Sequence, residues 1–486
     1  MPPFATLRDA VAAECDEVVC PRRPGMWACI VLLVLATGCQ TYSRQSEDMN
    51  RAWAAGDAAA AARDFGRRAD KKAGSKDAVV WHLEAGATFR ATGGYAESNR
   101  HFDTAAERMD EYERRAKVRL GNETAAIFSN QQNLPYEGRA YERVMLHTYK
   151  ALNYMALGEV EKARPELIRA YQAQQDAVAQ NQKRIEEARE AEQNSGQGAA
   201  VARSRSDPGL QSALADITRP LEGFTAYADY VNPFTVYLDG LYFLHAGQGG
   251  ADLERAAKSL RRIAEVAEPG TGVAADLQAA DTMASGRPPG STPLTYVIFE
   301  TGRVASREQV RIDIPIIFAD VSYVGAAFPK LVLHEDHAPW VSVRTAVGEQ
   351  RTARVASMDS VVALDFKQEF PVIVTKTLLS TVAKAAAGWA VNDAARQQDE
   401  GLGMLARLVT LGVQAAVNIA DTRCWSTLPK EFQAVRLETP PDQLLTLEGP
   451  AGSSQTIRLI DGAVVVVYVK SVSAAQPPSV SQFRLR

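Results

Sequence analysis

The chain has 486 residues, 46% of them hydrophobic and 23% charged, and 54 Lys+Arg against 58 Asp+Glu leave a net charge of -4. That balance excludes wholesale disorder, a collagen-like chain and a polytopic membrane protein, and it offers no electrostatic basis for non-specific nucleic-acid binding. At ~100–200 residues per domain, two or three domains are expected.

Near the N-terminus, Arg22 and Arg23 precede a short apolar run over 27–35, followed by Ala36, Thr37, Gly38 and Cys39. A basic segment, a short apolar core and small residues at a cleavage point describe a secretory signal over 1–38. The run is too short to span a bilayer, which takes ~20 residues. Leu35-Ala-Thr-Gly-Cys39 resembles the lipobox of bacterial lipoproteins. That resemblance implies lipidation of Cys39, which becomes the new N-terminus, and anchoring by acyl chains. Gln40 stands where inner-membrane lipoproteins carry Asp, so the expected address is the periplasmic face of the outer membrane. The first 25 residues hold Asp9, Glu14, Asp16 and Glu17, an acidic stretch unusual before such a core, and translation from Val18 or Val19 would remove it. Of the five Cys (15, 20, 29, 39 and 424), only Cys424 remains as a free thiol after processing, so the mature protein is held by its core and not by disulfides.

Residues 39–286 read as helices, with Ala abundant and apolar residues three and four apart. Gly86, Phe89, Gly93, Tyr95, Ser98, Phe102 and Ala105 occupy the small and large slots of a tetratricopeptide (TPR) repeat. Ala151, Tyr154, Gly158, Val160, Ala163, Leu167 and Ala170 repeat the pattern. Weaker copies run through Trp53, Gly56, Asp57, Ala61 and Phe65, and through Gly240, Phe243, Gly247, Ala256 and Leu260. The small residues let paired helices approach, and Gly ends the first helix. The charge run over 183–192 reads as a solvated helix face, and 194–209 as a flexible linker.

After Pro288-Pro-Gly290 the pattern turns to strands, at 295–300, 309–314, 330–334, 340–347 and 350–358, then 432–438, 444–448, 455–460 and 463–470. Asp461-Gly462 between two apolar runs predicts a hairpin. The expected fold class is α+β: an N-terminal TPR-like helical array followed over 293–486 by a β-rich domain, a sandwich or partly open barrel, with a helical hairpin inserted at 370–421. That hairpin is rich in Ala, Val and Leu, but Lys376, Lys384 and Arg407 interrupt it, which favours core packing over membrane insertion.

Several strings resemble a family of uncharacterised TPR-containing bacterial lipoproteins: Asn133-Leu-Pro-Tyr-Glu-Gly-Arg-Ala-Tyr-Glu142, Lys150-Ala-Leu-Asn-Tyr154, Glu300-Thr-Gly302, Arg311-Ile-Asp-Ile-Pro315 and Asp421-Thr-Arg-Cys-Trp425 with Leu428-Pro429. The resemblance implies an envelope lipoprotein and carries no catalytic residue across.

His334-Glu-Asp-His337 is the one histidine cluster, but its spacing falls one short of a zincin motif and it follows a strand, so it reads as a turn and no metal is expected. The segment 270–275 mimics a dinucleotide fingerprint in the wrong context, after a helix. No cofactor is expected. The reading is a non-enzymatic adaptor, lipid-anchored through Cys39, with a protein partner in the cell envelope and Tyr95, Tyr141 and Tyr154 as partner-binding positions on the helices. The alternatives are a periplasmic hydrolase using His334, His337 or Cys424, and a membrane-active component using the 370–421 hairpin.

Overall fold

A helix that must reverse direction ends most cheaply on a residue with positive φ, which glycine adopts without strain. Gly93 (φ +80) and Gly158 (φ +76) stand at two such reversals, between α3 (Ala78–Ala91) and α4 (Tyr95–Val118), and between α5 (Ala140–Ala156) and α6 (Val160–Asn194). In this computed structural model, which describes residues 41–118, 131–224, 227, 231–287, 290–318, 321–396, 419–450 and 452–486, the same arrangement recurs in α9 (Pro233–His245) with α10 (Gly250–Ala264), while α1 (Tyr42–Ala54) leads through Gly56 into α2 (Ala58–Lys71), which packs on α3. Three helix pairs, α3–α4, α5–α6 and α9–α10, therefore pack where the repeat pattern puts them. The small-residue slots work as expected: a Cβ on Gly86 would lie 2.4 Å from the Phe102 ring, so only glycine lets α3 and α4 close.

The two helices of a pair differ in burial. α3, α5 and α9 are buried almost all round, as helices without a polar face must be. Their partners α4, α6 and α10 carry charged residues on an outer face. What buries the first helices is the β-half of the same chain. The main sheet runs β11 (Ser479–Arg484), β10 (Val464–Ser471), β1 (Leu294–Thr301), β7 (Glu431–Glu438), β6 (Ala353–Ser357), with β1 and β10 parallel and the other pairs antiparallel. Alternation along a strand sends successive side chains to opposite faces. Tyr296, Glu300, Phe432, Arg436 and Tyr468 meet the helices; Phe432 stacks on Phe234 of α9 at 3.7 Å between ring centroids. Val297, Phe299, Val435, Leu437, Val467 and Val469 point the other way. They share a core with Val343, Leu445 and Leu447 of a four-stranded sheet ordered β5 (Gly348–Arg351), β4 (Ser342–Thr345), β8 (Leu444–Glu448), β9 (Ser454–Arg458). Residues 46–486 form one compact unit, with no break where the helical and β-rich halves meet in sequence. The described sheets are open and none closes into a barrel.

A second core lies between the long hairpin of β2 (Ser306–Phe318) and β3 (Val321–Val332), the helices α7 (Gly198–Arg205) and α8 (Pro208–Thr218), and α12 (Met358–Arg396); α11 (Val273–Ala284) completes the helices. Three sequence expectations change here. The 194–209 segment, expected as a linker, contains α7, whose Val201 is 0% exposed and sits in this core. The composition that reads as a linker is also that of a short helix whose one large apolar residue, Val201, faces inward. The predicted hairpin helix starts at Met358, twelve residues before 370, and runs through Pro371; the second arm over 397–418 lies outside the described residues. Asp461-Gly462 does not close a hairpin. β9 pairs with β8 in one sheet and β10 with β1 and β11 in the other, so the turn is a crossing between sheets. β10 is apolar on both faces and is drawn to the sheet centre, while β9 is polar and takes an edge. Among the described residues no helix is long and apolar enough to cross a membrane.

Candidate functional site

The face of a helical-repeat array formed by its first helices is where such arrays hold extended peptides. Here that face already holds an extended segment of the same chain, the strap 420–430 that enters β7. Backbone N–H groups in a buried strap must find acceptors, and two carboxylates from the helices supply them. Glu142 on α5 accepts the Trp425 N–H at 2.9 Å. Glu84 on α3 accepts the Ser426 N–H at 2.8 Å, the Ser426 hydroxyl at 2.6 Å and the Thr427 N–H at 3.1 Å. Asn50 Oδ1 of α1 lies 3.0 Å from the same Ser426 hydroxyl and competes with Glu84 for its single proton. The Trp425 ring is fully buried against Phe102 and Tyr149, with centroids 5.6 and 5.8 Å away, and its Nε1 donates to Thr427 Oγ1 at 3.0 Å.

Arg423 fixes the strap's entry. Its guanidinium clamps Asp421 at 2.8 and 2.7 Å and reaches Asp77 Oδ1 at 2.8 Å and the Leu134 carbonyl at 2.9 Å. Glu142 also accepts from the Tyr136 hydroxyl at 2.7 Å and the Arg139 N–H at 2.9 Å. Burial raises the Glu142 carboxyl, and Arg139, the Tyr136 hydroxyl and the N–H donors pull against it. The strings 133–142 and 421–429, which read as family resemblance in the sequence, are therefore the two sides of one clasp. Behind it Arg139 and Arg307 converge on Glu369, Arg307 at 2.8 Å. Burial would raise this carboxyl, but the two guanidinium charges outweigh it and hold it well below the usual range.

A third buried carboxylate ties the helices to the sheet. Glu300 on β1 accepts from the Tyr149 and Tyr468 hydroxyls, both at 2.7 Å, and from Lys470. Arg90 lies over the Tyr468 and Tyr149 rings at 4.3 and 5.0 Å, and Lys470 over Trp53 at 5.0 Å. Burial opposes the charge on Glu300, and Lys470 with Arg90 overcomes it, so the carboxyl stays ionised.

The predicted site residues separate. Tyr141 is only 4% exposed, with its hydroxyl 3.4 Å from Glu142; it belongs to the clasp and presents no surface, which corrects its expected place among partner-binding positions. It lies on a first helix, whose polar residues turn inward to the strap. Tyr95 and Tyr154 are half-buried, and Tyr154 carries the Lys162 ammonium 5.9 Å from its ring. Cys39 lies outside the described residues. Cys424 is buried, and burial pushes its thiol up to about 11, which withholds the thiolate a nucleophile needs. His334 meets Ser306 Oγ at 3.1 Å and His337 the Glu335 carbonyl at 2.9 Å, so each has its own local partner. Among the described residues no three His, Cys, Asp or Glu side chains group as metal ligands. Sequence reasoning missed Glu84, Glu142, Glu300 and Arg423. The available signal was a lone charge inside an apolar run, Glu84 among the residues 78–89 above all. Compared with family models, curated proteins and solved structures, the chain matches none.

Proposed function

We propose that this chain is a non-catalytic scaffold of a bacterial envelope, anchored through lipidated Cys39 on the periplasmic face of the outer membrane, that binds a protein partner on the outer side of its TPR-like helices. The observation that carries this reading is how the helical surface is used. The inner face is filled by the strap and the main sheet, whereas α6 runs 35 residues against the 17 of α5 and leaves Ile168, Tyr171 and Val178 at 43, 39 and 48% exposure. Steps of three and seven residues put these three on one side of the helix. Large apolar side chains grouped on a soluble surface favour partner contact. A partner segment with apolar anchors at helical spacing fits this stripe. Tyr154, at the end of α5, is half-buried beside Lys162.

The experiment is photo-crosslinking in living cells. Photo-reactive residues at 168, 171 and 178 should yield a discrete crosslinked protein, lost when Cys39→Ala releases the chain from the membrane. Probes at 141 and 425, inside the clasp, should be silent. Crosslinks from the clasp positions and none from α6 would overturn the reading.

A further inference from the structure

Where α2, α3 and α4 meet, two buried histidines face each other. His82 of α3 and His101 of α4 are 1 and 0% exposed, with 2.9 Å between their Nδ1 atoms. Arg100 Nη2 lies 3.0 Å from His101 Nε2. A guanidinium only donates. His101 Nε2 must therefore accept, so the His101 proton sits on Nδ1 and is given to His82 Nδ1. The His82 proton is then on Nε2, a buried atom without a hydrogen-bond partner. Arg100 is itself held by Asp70 of α2 at 3.1 Å and by Glu97 of α4. The chain Asp70–Arg100–His101–His82 thus runs through all three helices. The His101 ring stacks on Phe89 at 5.4 Å between centroids, and Phe89 in turn packs over Gly66 of α2, where a Cβ would come within 2.7 Å of its ring.

This chain has one direction and no room for another proton. A proton on His101 Nε2 would meet the Arg100 N–H at 3.0 Å, nearer than the Glu97 carboxylate at 3.7 Å. A proton on His82 Nδ1 would meet the His101 N–H at 2.9 Å. The charged groups facing the pair are Asp70 from α2 and Glu97, Arg100 and Arg108 from α4; α3 contributes only His82 itself. We propose that the His82–His101 pair is an acid-responsive latch, which holds α2 against α3 and α4 while both rings are neutral and releases it when either takes a proton.

The electrostatics agree. Burial first, with the His101 and Arg100 charges adding to it, lowers His82 to about 4, and burial and Arg100 lower His101 to about 4. Both groups lie below the unperturbed value of 6.5 in the folded chain, so the contact is intact above 6.5 and is lost as the pH falls through about 4.

The test is hydrogen exchange of the full-length mature protein, read by mass spectrometry and corrected for intrinsic rates, at pH about 7 and about 4.5. Peptides from α2 and α4 should lose protection by at least about tenfold at the lower pH, whereas a His82→Asn/His101→Asn variant should keep its neutral-pH protection. Asn at position 82 retains an acceptor near the Nδ1 position and cannot titrate. Equal loss in both proteins, or no loss in the parent, overturns the latch. Should the double variant fold poorly, histidine-selective ¹⁵N NMR of the parent decides: protonated Nδ1 on His101 and protonated Nε2 on His82 support the latch, and any other pair of tautomers refutes it.

Discussion

Replacing Glu84 by Gln tests whether the strap is held by the helices or merely lies on them. The carboxylate receives three donors, from the Ser426 and Thr427 backbones and the Ser426 hydroxyl. Gln offers one acceptor oxygen and one donor group at the same positions. Whichever way the amide turns, a strap N–H in a site with no solvent exposure faces another donor. A stranded buried donor costs about 1–3 kcal/mol, and the remaining bonds lose the roughly twofold advantage of a charged acceptor. Glu84→Gln should thus destabilise by about 3 kcal/mol, a large part of the ~5–15 kcal/mol expected of a folded domain. The assay is urea unfolding followed by Trp fluorescence, with Glu47→Gln as control. Glu47 is paired with Arg51 on the exposed side of α1, and its loss should fall within about 0.5 kcal/mol of zero. A cycle with Ser426→Ala localises the effect: the two changes should couple by about 1 kcal/mol. Additive effects, or a Glu84→Gln loss no larger than the control, would refute the clasp.

Other consequences follow from the same buried charges. Glu300→Gln removes the counter-charge of Lys470 and Arg90 together and should cost about 3–5 kcal/mol in chemical denaturation, part of which Lys470→Met in the same chain restores; a second loss that simply adds would show the cluster is not coupled. Cys424 should react with a thiol reagent only as fast as the protein unfolds, so labelling in native buffer at the rate of a free thiol would contradict its burial. Acid should destabilise the fold. His82, His101 and His334 at about 4 and His245 at about 3 lie below the unfolded value of 6.5, so their neutral forms stabilise fully above 6.5 and lose that contribution as pH falls towards 4. Asp276 and Asp365, raised by burial to about 6, act the other way: their contribution is present at low pH and lost as pH rises through 6. Near pH 5 these four histidines take up protons on unfolding and the two acids release them. The net uptake is about two protons, or about 2.7 kcal/mol lost per pH unit. Stability by urea titration that rises from pH 6 to 5 would refute this balance.

How far the sequence foretold this molecule depends on the range of the interaction read. The helix pairs were legible because their cause is local. Gly93 and Gly158 turn the chain, and Gly86 and Phe102 fit one another sixteen residues apart. Strands β1, β7, β8 and β10 were legible within a residue or two, since alternation and β-branching act over a few residues. Partnerships were not legible. Nothing around Asp461-Gly462 says that Val464–Ser471 pairs in parallel with a strand some 170 residues earlier, and nothing near 194–209 says that α12 will cover Val201.

The inward use of the first helices was not legible for the same reason, though one class of residue signals it. A solvent-facing groove helix needs a polar stripe, and α3 has none: its single acid, Glu84, lies inside an apolar run. A charge in that position is tolerable only if donors come to it. The segment 421–429 brings donors of the matching kind, the Ser426 and Thr427 backbone N–H groups and the Ser426 hydroxyl. A groove that brings its own peptide has exchanged adaptability for rigidity. Among these helices the apolar stripe of Ile168, Tyr171 and Val178 on α6 lies open.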